Sequence, residues 1–388
     1  MRMAETSLAV IREYLNEMMY SLIDFRLSFH VEMSSMGFPT FSSLRRSVDL
    51  LDPAHRVLFQ LFRIGEAVDN AAIRQALPDG VFTALVETEL LVSDEAGRWR
   101  TPSLLIVPVE GLYLLVGIPP LYPTATRPCN TGFDTSSSIV AKALPVSLTG
   151  QTVLDICSGS GVQALICAAR GADSVVGLEL NEEAVTTARA NASLNGLDGK
   201  VDFRQSDKLM SLREGERFDF VVCNTPSSPM VDQVGESSGP EAIGNVVLLD
   251  LLSKLPDHLS LHSSGILCAW RSLGYQSRTY QLQAIAARLA TEGFSTAAYV
   301  DKAPNTIESM LRGLQTELER RPEMQRPDAA AIVKRVRGQL AQSETPIDGL
   351  YNQLIYFRKA KAEPSADIFP LFATAPSAHG QATASASG

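Results

Sequence analysis

The chain has 388 residues, of which 45% are hydrophobic and 20% charged, the make-up of a folded globular protein and not of a disordered one. Its 34 Lys and Arg against 43 Asp and Glu leave a net charge of −9, a surface that repels a phosphate backbone. No run of about 18 apolar residues is present, so no membrane span is expected.

The opening MRMAETSLAVIREYLNEMMY is interrupted by Glu and Arg and does not read as a signal peptide. Residues 1–54 read as an amphipathic helix and a loop, with Leu8, Ile11, Leu15, Met18 and Met19 at helical spacing. Two readings of this helix stand: a piece packed on the body, or a lid over a ligand site. Residues 55–120 follow the order of three short helices and two strands around Glu110-Gly111, a winged-helix-like accessory unit. Its third helix, Val81 to Leu91, carries Glu87 and Glu89 and no Lys or Arg, so it predicts a packing or substrate-shaping unit, not a DNA reader.

Residues 121–362 alternate strand and helix: TVLDIC, SVVGLEL, VDFRQS, FDFVVCN and GILCAW are short β-rich runs separated by helical segments. That alternation predicts an α/β fold with a parallel sheet covered on both faces. A helical insertion over about 304–345 interrupts the last part, and residues 363–388 have the composition of a disordered tail. Five scattered cysteines, Cys129, Cys157, Cys167, Cys223 and Cys268, form no CxxC pair and predict reduced thiols and a cytoplasmic location.

The segment VLDICSGSGVQAL carries the chemistry. Asp155, Gly159 and Gly161 lie in the turn between a strand and a helix, where glycines let the backbone approach a ligand and the helix N-terminus faces it. The next strand ends at Glu179, 24 residues on from Asp155, where an acid would hold a ribose hydroxyl pair. Dinucleotide and S-adenosylmethionine enzymes share this layout. An acid inside the loop repels a pyrophosphate and suits an ammonium and a sulfonium, which favours the second. Ser206-Asp207 follows the third strand in a place to meet an adenine amino group. Asp207 reads equally well as an ordinary turn former. The fourth strand ends at Asn224, entering a Pro-containing loop.

With these motifs, residues from about Thr131 to Ala269 resemble a class I S-adenosylmethionine-dependent methyltransferase. They are most similar to the "small domain" group of release-factor glutamine and rRNA guanine methylases. The resemblance implies a Rossmann-like seven-stranded sheet, S-adenosyl-L-methionine as cofactor, and no metal. By it, Asp155, Gly159, Ser160 and Gly161 hold the methionine end, and Cys157 replaces the usual first glycine. Glu179 takes the ribose with Leu180 beside the adenine, and Asp207 recognises the adenine. Phe133 and Thr135 lie in a segment bordering the methionine moiety. Asn224 matches the first residue of the family's Asn-Pro-Pro-Tyr/Phe motif, which here reads Asn224-Thr225-Pro226-Ser227. Asn224 would orient the nucleophile, with Thr225 or Ser227 adding hydroxyl contacts.

Ser227 cannot stack on a planar amine as the family's aromatic does. With the acidic charge, this predicts methyl transfer to nitrogen, oxygen or sulfur of a small molecule in specialised metabolism. The expected partners are that substrate, no nucleic acid and no membrane, with a homodimer left open. The alternative is a cyclase or lyase of the same fold that consumes the cofactor and releases methylthioadenosine.

Overall fold

The computed structural model describes residues 5–32, 39–119, 122–125, 131–225, 246–276, 278–301, 305–319, 328–341, 346–360 and 364–371. Six helices come first: α1 (Glu5–Glu17), α2 (Tyr20–Ser28), α3 (Phe41–Asp49), α4 (Pro53–Phe62), α5 (Asn70–Ala76) and α6 (Asp79–Glu87). Side-chain caps explain two of the starts: Thr40 accepts the Ser43 N–H and Asp52 the His55 N–H, each satisfying an otherwise orphaned backbone donor. β1 (Val92–Ser93) and β2 (Trp99–Arg100) form a small ribbon, and β3 (Leu104–Val109) and β4 (Leu112–Gly117) an antiparallel hairpin. Glu110 and Gly111 join them with φ of 49° and 83°, the positive pair whose twist matches that of the flanking strands.

Residues 1–54 thus hold three helices where the sequence suggests one and a loop. Met19, at φ 49°, breaks the apolar pattern into α1 and α2. α1 is core and not a lid: Leu8, Ile11 and Leu15 are at most 1% exposed. At about 1.5–3 kcal/mol for each such side chain, lifting this helix would cost more than a lid motion allows.

Next come α7 (Thr135–Ala143), β5 (Thr152–Ile156), α8 (Val162–Ala169), β6 (Ser174–Glu179), α9 (Glu182–Asn195), β7 (Val201–Gln205), β8 (Phe218–Asn224), α10 (Val246–Leu252) and β9 (Leu259–Tyr275). The chain divides into two units, residues 1–225 with 250–268, and residues 226–249 with 269–388. In the first unit five strands run parallel in the order β9-β8-β5-β6-β7. The near-continuous apolar interiors of β5, β6 and β8 suit strands buried on both faces. Connections leave β5 toward β6 on one side while β8 lies on the other. The order therefore reverses between β5 and β8, and the crevice at such a reversal, at the carboxyl ends, is where ligands bind in open α/β sheets.

Within the same unit α9 holds the hairpin. Asn191 accepts the Leu115 N–H at 2.6 Å and donates to the Leu115 carbonyl at 3.0 Å, and Asn195 does the same for Tyr113 at 2.9 and 2.7 Å. Two amides one helical turn apart thereby satisfy alternate residues of β4, in place of a neighbouring strand.

The second unit adds β10 (Arg278–Thr279), α11 (Tyr280–Thr291), β11 (Phe294–Asp301), β12 (Asn305–Thr306), α12 (Ile307–Glu319), α13 (Ala329–Ala341), β13 (Gly349–Lys359) and β14 (Ala366–Leu371). β11 pairs antiparallel with β13 and parallel with β14. The helical insertion is the pair α12 and α13 around Met310, Leu311, Ala329, Val336 and Leu350. β14 lies in the stretch expected to be a structureless tail. Its ADIFPL is apolar enough to add a strand once β11 offers an edge, and the composition of the residues after it masked that signal. Among the described residues no helix is long and apolar enough to cross a membrane.

Candidate functional site

The turn after β5 takes the left-handed region at every second residue: Cys157, Gly159 and Gly161 have φ of 60°, 55° and 83°. A Cβ on Gly159 would meet nothing within 4 Å, so the turn's outer side is open to a ligand. Gly161 faces inward, where a Cβ would lie 2.5 Å from Phe203 Cζ. The Phe203 ring from β7 fills the space that glycines 161 and 177 leave, and it locks α8 close to the sheet. Cys157, at the position of the family's first glycine, carries a left-handed strain of about 1–2 kcal/mol. Such strain persists where the surroundings hold it, and functional turns are common places.

Asp155 is fully buried. One oxygen accepts the Ala164 N–H at 3.0 Å, capping α8, whose N-cap residue Gly161 has no side chain to do so. The other, Oδ1, has no partner among the described residues. Burial, with the Glu179 charge adding to it against the Ala164 hydrogen bond, raises the Asp155 pKa to about 8. An unpaired buried carboxyl oxygen is costly, and a cation at the turn would relieve it.

Glu179 ends β6 and ties the turn down. Gly159 N–H donates to its Oε2 and Asn181 N–H to its Oε1, each at 2.9 Å. Each oxygen keeps a lone pair for a further donor. Leu180 is 62% exposed, an apolar side chain presented beside this acid. Ser160 Oγ and Ser158 Oγ are buried without partners among the described residues, Asp207 is exposed, Phe133 and Thr135 are partly buried, and Thr135 is the first residue of α7.

At the tip of β8, Asn224 lies opposite Cys268 of β9, one step beyond the pairing of Ile156 with Cys223. Its Oδ1 is buried with no partner among the described residues, while its Nδ2 lies 3.4 Å from both Ser136 Oγ and Ser137 Oγ. The Thr225 hydroxyl donates its proton to the Cys268 carbonyl at 2.9 Å and joins the two strands. Ser227 lies outside the described residues. Cys223 touches Cys157, and that contact together with burial raises its pKa, so it stays a neutral thiol.

The structure therefore brings Asp155, the glycine turn, Glu179 and Leu180 to neighbouring strand ends, with Asn224 one strand away. Sequence reasoning missed Ser136, Ser137 and Phe203. The two serines stood out only as part of a polar run before a helix, and Phe203 as one apolar residue of a strand.

Strand order and turn together define the class: the fold is the α/β, Rossmann-like sheet of the class I S-adenosylmethionine-dependent methyltransferases. Within it, residues 128–235 match the family described as methyltransferase small domain. A ribosomal protein L11 methyltransferase of Lactobacillus johnsonii is 30% identical over 131 residues, 34% of this chain and 35% of that protein. A provisionally named protein N5-glutamine methyltransferase of Methanocaldococcus jannaschii is 30% identical over 125 residues, 32% of this chain and 56% of that protein. Among solved structures, a 16S rRNA N2 G1207 methyltransferase of T. thermophilus aligns with a TM-score of 0.36 at 18% identity, covering 66% of this chain and 65% of that one. The chain thus spans between 35% and 56% of the lengths of the two curated relatives.

These names correct the expected acceptor. The relatives are named for methylation of macromolecules, a ribosomal protein and a protein glutamine, which overturns both the small molecule of specialised metabolism and the cofactor-consuming cyclase or lyase. The exclusion of nucleic acid falls with it, since it was paired with a small-molecule substrate and the relatives' names put macromolecules in that place. Net charge sums the whole surface and does not describe the face that meets a partner. The missing aromatic at Ser227 likewise concerned one platform, not the size of what carries the acceptor atom.

Proposed function

We propose that the chain transfers a methyl group from S-adenosylmethionine to a nitrogen atom of a protein acceptor. The observation that carries this reading is the buried Oδ1 of Asn224, without a partner among the described residues, one strand from the open glycine turn. The residues at the turn fit the cofactor: on buried Asp155 an oxygen without a partner among the described residues for an ammonium, on Glu179 lone pairs beyond its two backbone hydrogen bonds for a ribose diol, and exposed Leu180 for the face of a base. When bound, the cofactor supplies a methyl group on an already activated sulfonium. What remains for the chain is to position and desolvate the acceptor. Asn224 Oδ1 accepts a hydrogen bond from the acceptor N–H and so aims the nitrogen lone pair. A cytoplasmic location belongs to the same reading, supported by free thiols at Cys157, Cys167, Cys223 and Cys268.

The test is calorimetric titration with S-adenosylmethionine, followed by incubation of the protein with methyl-tritiated cofactor and ribosomes from cells lacking its gene. Micromolar binding and acid-stable label that protease removes and ribonuclease leaves are expected. Absence of cofactor binding, or label that only ribonuclease removes, overturns the reading.

A further inference from the structure

The amide of Asn224 offers a site two opposite faces, a donor nitrogen and an acceptor oxygen, and its usefulness depends on which one faces outward. The start of α7 settles this. Asp134 is the N-cap of that helix, and its Oδ1 accepts the Ser137 N–H at 3.0 Å, the Ser136 hydroxyl at 2.6 Å and the Ser137 hydroxyl at 3.2 Å. A serine hydroxyl has one proton to donate and two lone pairs to offer. Both protons are committed to the carboxylate, a charge-assisted acceptor stronger than any neutral alternative. Each hydroxyl can then present only a lone pair to Asn224, and both lie 3.4 Å from its Nδ2.

An amide nitrogen has two N–H groups and meets two hydroxyl oxygens, so the orientation is satisfied. Turned over, the amide would set its carbonyl oxygen against two oxygens whose protons point elsewhere. The serines, 6% and 9% exposed, have little access to water that would rescue that arrangement. Nothing in the local sequence around Asn224 contains this information, because the contacts span 87 and 88 residues.

We propose that Asp134, Ser136 and Ser137 form a positioning relay that holds the Asn224 amide with its oxygen toward the acceptor, and so selects a nucleophile that arrives carrying an N–H donor. This rests on the methyltransfer reading above. The three residues act through Asn224 and are positioning residues.

The experiment uses the full chain, labelled with 15N-asparagine, and assigns the side-chain amide signal of Asn224 by its loss in Asn224→Asp. Ser136→Ala/Ser137→Ala keeps Asp134 and its backbone cap, so the helix start survives. In the double variant the Asn224 amide is expected to lose its protection from solvent exchange. Methyl transfer to ribosomes is expected to fall about 10–100-fold, the scale of a misaimed reacting group, with the dissociation constant for S-adenosylmethionine within about threefold. Ser136→Thr in the Ser137→Ala background restores one hydroxyl and is expected to recover most of the transfer. An unchanged Asn224 amide signal, or unchanged transfer despite an altered one, overturns the relay. If the wild-type chain transfers no methyl group, the function reading fails by itself and the amide signal alone decides the relay.

Discussion

The turn after β5 and the tip of β8 are neighbours in one sheet and are built on opposite plans. At the turn, side chains serve the backbone: Asp155 caps α8, Glu179 fastens Gly159 and Asn181, and Phe203 fills the room beside Gly161. What the turn presents outward is a shape. At the β8 tip the relation is reversed, and the fold serves a side chain: two serines, themselves bonded to an aspartate, meet the nitrogen of Asn224, while its oxygen has no partner among the described residues. Binding energy from a rigid backbone cradle suits a ligand that is always the same. An oriented amide suits the partner whose chemistry must be chosen.

This contrast predicts effects that separate binding from turnover. The largest is at the β8 tip. Asn224→Ala is expected to lower methyl transfer by about 10²–10³-fold, the size seen when one preorganised polar contact is removed, with cofactor affinity within about threefold by calorimetry. Comparable losses in both quantities would break the distinction. Next is the turn's packing. Gly161→Ala combines overlap with the buried Phe203 ring and a φ of 83°, and should cost about 3 kcal/mol in urea unfolding. Gly177→Ala meets the same ring without the positive φ. Adding Phe203→Leu should recover much of the Gly177→Ala loss and less of the Gly161→Ala loss.

Asp155 supplies a pH test. Its folded pKa of about 8 lies above the ordinary 3.8, so between these values the native chain keeps a proton that the unfolded chain has released. Stability of the ligand-free protein should therefore fall as pH rises from about 4 to about 8, and Asp155→Asn should flatten the dependence. Binding a cation beside Asp155 favours the carboxylate and releases the proton. Cofactor affinity should then rise with pH toward 8 by up to about tenfold per unit, with proton release read from calorimetry in buffers of different ionisation heat. An affinity independent of pH would place the cation elsewhere. The smallest effect is at Cys157. Cys157→Gly relieves about 1–2 kcal/mol of left-handed strain but adds about 0.5–1 kcal/mol of unfolded-chain freedom. A net gain of about 0.5 kcal/mol in the free energy of urea unfolding is expected, with cofactor affinity unchanged.

Much of this was legible from the residues alone. The five parallel strands fall on the β-rich runs, and for β5, β6 and β8 the reason is that strands buried on both faces need continuous apolar stretches, which are local. Asp155, Gly159, Gly161 and Glu179 lie at the strand ends and turn where the sequence puts them, because a tight strand-to-helix turn demands those residue types at that spacing. Other features were not local. Met19 divides a helical pattern that periodicity reads as one element, since a single left-handed residue leaves no mark on apolar spacing. The role of α1 in the core depended on whether α6 and α9 would meet its apolar face. β14 needed the free edge of β11, which lies far from it in sequence.

By itself the sequence determined which segments form the parallel strands, where the glycine turn lies and which acid ends the second strand, because these follow from backbone preference and side-chain type within a few residues. The tertiary structure alone decided which atoms of those residues remain available. Asp155 became a helix cap with one oxygen left over, Thr225 a strand tie, and Asn224 an acceptor with its nitrogen engaged. Hydrogen-bond capacity belongs to a residue, but the partner that uses it is delivered by the packing of α7 against β8, which brings together positions nearly ninety residues apart.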